Sequence, residues 1–143
     1  MNNPATTLAR AFGTAFLGAT LLGWAPNQLL GENGLFVTNA AHNFVHLATA
    51  MAFFAVARWG ENASIRFMRI FGAVYMLTAV IGFFALGSET EGHLFYMIRI
   101  NQLDNYLHLG LGIVISIAGW TVRHSYPHPE CLSANLGIAP KTK

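Results

Sequence analysis

Charged side chains are so sparse along this chain that the gaps between them divide it into four apolar stretches. These run from Ala11 to Gly31, between Glu32 and Arg58, from Ile70 to Ser88 and from Asn105 to Val122. Each is long enough for a helix that crosses the hydrocarbon, which takes about 20 predominantly apolar residues. Pro26 cannot continue a helix, so the first ends near Trp24 and Ala25. The pattern predicts helices at about 8–25, 40–58, 66–87 and 104–122, followed by a flexible tail over 124–143. The expected fold is all-α, a single transmembrane four-helix bundle spanning the whole of 1–143.

The few polar residues inside these stretches recur in order. "NAAHNFVHL" at 39–47 and "NQLDNYLHL" at 101–109 both read N-x-x-(H/D)-N-x-x-H-L. Asn39, His42, Asn43 and His46 thus pair with Asn101, Asp104, Asn105 and His108 at an offset of 62. Upstream, Arg10-Ala-Phe-Gly13 pairs with Arg69-Ile-Phe-Gly72, and Leu35-Phe36 with Leu94-Phe95, at an offset of 59. About three residues are therefore inserted between these anchors in the second copy. The repeating unit is a helical hairpin that crosses the membrane twice, so both copies have the same orientation, related by a pseudo-two-fold axis along the membrane normal. At 100° per residue the polar positions of each motif share one face, and polar faces in lipid turn inward. The small residues Ala48, Ala52 and Ala55, with Gly110 and Gly112, are expected to continue those faces and permit close helix approach.

Composition agrees with membrane placement. The chain is 54% hydrophobic and 10% charged, against about 25% charged in soluble domains. Arg10, Arg58, Arg66, Arg69, Arg123, Lys141 and Lys143 lie at the two ends and the central connection, and Arg99 alone lies on the other side. By the positive-inside rule both termini face the cytoplasm, in the inner membrane of a bacterial cell, and the polar motifs lie near the outer face. Gly23-Trp24-Ala25 resembles a signal cleavage site, but Pro26 follows it and the helix has a retained twin, so the first helix is expected to stay. The net charge of +2 follows from the cytoplasmic bias, without a nucleic-acid partner. A bundle this small can meet a second copy or another membrane protein in the bilayer, though no surface is marked for it.

Asn39 and Asn101 stand where helices begin and read as N-caps, Asn101 with Asp104 having capping-box spacing. His46 and His108 lie deeper and need partners. With His42 and Asp104 they make a ligand set for Zn²⁺ or another divalent transition metal, Asn43 and Asn105 orienting the rings. Two further readings stay open. In one, the cluster is an interhelical hydrogen-bond lock in a structural or assembly protein. Alternatively, His46 and His108 are axial ligands of a haem b walled by Met51, Phe53, Phe54 and Trp120. In the tail, His124, His128 and Cys131 are a weaker metal set, broken by Pro127 and Pro129. A transport path is not visible, since only Thr49, Thr78 and Ser116 continue the polar row, and no hydrolytic motif or phosphate loop marks an enzyme.

The motifs "HNFVHL" and "LDNYLHL", with "RIFGAVYMLTAVIGFFALG" between them, resemble a family of small bacterial four-helix membrane proteins catalogued as a domain of unknown function (DUF4383). The resemblance covers about residues 8 to 122. It implies fold and membrane location and carries no activity.

Overall fold

A computed structural model describes residues 3–122. The expected tail, with His124, His128 and Cys131, lies outside the described residues. The chain forms helices α1 (Pro4–Trp24), α2 (Ala40–Trp59), α3 (Glu61–Leu86) and α4 (Gln102–Thr121). Two strand pairs close one end, which we term the strand end: β1 (Leu30–Gly31) with β2 (Phe36–Val37), and β3 (Glu91–Leu94) with β4 (Ile98–Asn101).

α1, α3 and α4 begin before the positions that hydropathy suggests, α1 and α4 because side-chain caps set their starts and α3 because a single residue joins it to α2. The Asn3 side chain accepts from the amides of Ala5 and Thr6, and Pro4 occupies the first turn of α1, where its missing N–H costs nothing. Gly60 alone joins α2 to α3, at φ 104°, a value that side-chain-bearing residues rarely adopt. Its carbonyl and that of Val56 accept from the Ser64 hydroxyl, which anchors the first turn of α3.

The closest helix pairs are α1 with α2 and α3 with α4, the two hairpins of the repeat; α2 also packs on α3, and α1 on α3. α1, α2 and α3 are long and apolar enough to cross a membrane. α4 matches α2 in length, and its first two turns carry Gln102, Asp104, Asn105 and His108. The arrangement is inside-out relative to a soluble bundle. Large apolar side chains such as Phe84, Trp59 and Ile70 face outward, while His42, Asn43, His46, Asp104, Asn105 and His108 are buried. Below them the core is aromatic: Phe16 stacks on Phe53, and Phe67, Phe71 and Tyr75 stack in sequence along α3.

Two expectations about phase are corrected. From His46 the buried face of α2 continues to Ala50, Phe53 and Ala57, while Ala48 is exposed, because steps of three and four, not two, keep a helical face. Gly110 likewise lies in the open, whereas Gly112 packs against Met76 and the Gly72 carbonyl. Met51 and Trp120, expected as cofactor walls, face outward; Trp120 instead lies beneath the Arg69 guanidinium, 4.2 Å from its ring centroid.

The insertion is also relocated. Asn39 Nδ2 donates to the Met97 carbonyl and Asn101 Nδ2 to the Leu35 carbonyl, each at 2.8 Å. Reciprocal bonds across the pseudo-two-fold pair Leu35 with Met97, not with Leu94, so the register of 62 already holds there. The added residues fall at the end of α3, which runs to Leu86, four past Gly82, whereas α1 stops at Trp24, one past Gly23; in the β3–β4 turn Phe95 and Tyr96 are exposed with φ of 52° and 61°. The two connections, 25–39 and 87–101, nonetheless pair differently: β3 and β4 form an antiparallel hairpin, β1 and β2 a parallel pair.

Candidate functional site

The motif residues meet inside the strand end, set there by two caps. Asn39 Oδ1 accepts from the His42 amide at 3.0 Å, and Asn101 Oδ1 from the Asp104 amide at 2.9 Å. In the second copy Asp104 Oδ2 returns a bond from the Asn101 amide at 2.9 Å, completing a capping box. Because each cap also reaches the other hairpin's loop, the starts of α2 and α4 are fixed relative to one another, and so are the side chains one and two turns on.

From these starts His42, His46 and His108 converge. The His42 ring centroid lies 4.6 Å from that of His46 and 5.8 Å from that of His108. One nitrogen from each of the three falls within 4.8 Å of the other two, and all three residues are buried. Nitrogens bound to one Zn²⁺ at about 2.0–2.1 Å in tetrahedral geometry stand roughly 3.3 Å apart, so the rings need to close by up to about 1.5 Å.

The three rings are held differently. His42 Nδ1 lies 2.9 Å from the Arg99 carbonyl, which can only accept, so Nδ1 carries the proton and a neutral ring leaves Nε2 as the free lone pair. This is how metal-binding imidazoles are commonly oriented. The His46 ring lies against Phe16 and that of His108 against Tyr75, with centroids 5.9 and 4.5 Å apart. Among the described residues neither ring makes a hydrogen bond, and His46 Nδ1 is buried without a partner.

Asp104 lies beside this trio without joining it. Its Oδ2 is engaged by the cap, and it shares one cavity wall with His46, His108 and Tyr75. Asn43 and Asn105, expected to orient the rings, turn the other way. Each packs edge-on against a glycine of its own hairpin, Gly23 and Gly82, where an added Cβ would collide with the amide oxygen. Asn43 Oδ1 and Asn105 Nδ2 have no hydrogen-bond partner.

Four residues outside the motif therefore shape the site: Phe16, Gly23, Tyr75 and Gly82. Each pair is separated by 59 residues, the offset already visible at Arg10 and Arg69, so carrying that register along α1 and α3 would have found them.

No curated protein and no solved structure matches this chain. The model of one protein family does, over residues 6–121, and on that match the chain belongs to the family described as a domain of unknown function, DUF4383.

Proposed function

We propose that this chain is an integral membrane protein that binds one divalent transition ion, Zn²⁺ foremost, through His42, His46 and His108, with Asp104 as the adjacent carboxylate. In this reading the strand end faces outward. The Gly60 end, with Arg10, Arg58, Arg66 and Arg69, lies in the cytoplasm of a bacterial inner membrane. The observation that carries the proposal is three buried imidazoles with nitrogens within 4.8 Å of one another and no hydrogen bond among them. A hydrogen-bond lock calls for the opposite, since buried polar groups without partners cost about 1–3 kcal/mol each. A divalent ion satisfies three lone pairs at once, and Asp104 partly offsets its charge. Haem on His46 and His108 is disfavoured because the His42 ring sits beside both, where a porphyrin needs open space.

The test is elemental analysis and an absorption spectrum of detergent-purified protein. The expected result is close to one metal ion per chain without a Soret band, lost in His46→Gln and His108→Gln while the helical signal persists. Wild type that is metal-free, and takes up neither Zn²⁺ nor Cu²⁺ on titration, overturns the proposal. A Soret band moves the assignment to haem.

A further inference from the structure

Two cavities flank the histidines, and the internal repeat relates them. One, of about 120 Å³, lies in the seam between α1 and α4; the other, of about 160 Å³, lies between α2 and α3. Phe12, Ala15, Phe16 and Ala19 line the first, and the residues 59 positions on, Phe71, Val74, Tyr75 and Thr78, line the second. The α4 wall of the first, at 104, 107, 108 and 111, recurs 62 positions earlier as the α2 wall of the second, at 42, 45, 46 and 49. Both seams lie between hairpins rather than within one.

Each cavity has an apolar mouth and a polar floor. Ala15 and Leu107 are exposed at one mouth, Val74 and Val45 at the other, all on helix faces that meet lipid. His46, Tyr75 and His108 form the floor of both. The Tyr75 hydroxyl makes no hydrogen bond among the described residues, and His46 Nδ1 lacks a partner. Cavities of about 150 Å³ accommodate a benzene ring, and aromatic walls favour another ring by edge-to-face and offset contacts.

We propose that these cavities are paired lateral sites for a lipid-soluble molecule bearing a single phenolic ring. The ring enters from the bilayer through a seam and turns its hydroxyl toward His46, Tyr75 and His108. The hydroxyl both donates and accepts, so the two rings between them serve the His46 and His108 imidazoles and the Tyr75 hydroxyl. The floor shares His46 and His108 with the proposed metal centre, so the ring is tested on metal-free protein.

The experiment is a ¹⁹F NMR titration of 4-fluorophenol into phosphatidylcholine nanodiscs holding chelator-stripped protein, against empty discs. Saturable binding approaching two molecules per chain is expected. Ala15→Phe and Val74→Phe, which place a ring in each mouth, each remove one molecule, and the double variant removes both. 4-Fluorotoluene, lacking the hydroxyl, binds roughly ten-fold more weakly, the worth of one or two net hydrogen bonds. Protein-containing discs that behave like empty ones overturn the proposal on wild type alone. So do undiminished binding in a folded double variant and equal binding of 4-fluorotoluene. Zn²⁺ uptake measured on the same preparations keeps this outcome separate from that of the metal reading.

Discussion

The two hairpins keep the residues that set geometry and change those that set chemistry. Asn39 and Asn101 cap in the same way and reach across to equivalent carbonyls, and Gly23 and Gly82 admit Asn43 and Asn105 in the same way. His46 and His108 each rest on an aromatic ring from α1 or α3. The differences are His42 against Asp104 and Phe16 against Tyr75. All four lie at the pseudo-axis, where the halves face each other. Full identity there would place a fourth imidazole in the cluster; the exchange to Asp104 leaves three imidazoles with one carboxylate beside them, the set on which the proposed metal reading rests. The divergence is a better guide to the site than the repetition.

Substitutions at the shared pair should have the largest effect. His46→Ala and His108→Ala are each expected to remove bound metal almost completely, and by similar amounts, in an elemental assay; loss with one and retention with the other would break the equivalence of the halves. Asp104→Asn keeps a side chain able to cap α4 but removes the charge. A fall in Zn²⁺ affinity of about ten-fold is expected by competition titration.

Gly23→Ala and Gly82→Ala force a Cβ onto an amide oxygen and should each destabilise the protein by about 1–3 kcal/mol, the usual range for overpacking. Thermal melts in detergent should place the two within error of one another. The smallest difference is expected at the caps. Asn39→Ala and Asn101→Ala each lose a cap and a cross-hairpin bond, at about 1–2 kcal/mol. The two losses should be close to equal, because the reciprocal bond to Asp104 comes from the backbone amide of residue 101, which alanine retains. A clearly larger loss in Asn101→Ala would mean that the Asn101 side chain is needed to hold Asp104 in place for that bond.

The sequence by itself determined the four helices, their pairing into two hairpins and the inward turn of the motif. These follow from hydropathy and helical period, which are local properties of the chain. It also located both caps, since Asn before an apolar run with a polar partner three residues on is a local signal. Other features needed the tertiary structure. That Asn43 and Asn105 turn away from the histidines depends on glycines of a neighbouring helix. That Asp104 stays with its cap while three imidazoles converge depends on bonds between loops about 60 residues apart. The twin cavities exist because helices pack more tightly within hairpins than between them, and nothing in a linear pattern records the space left between two helices.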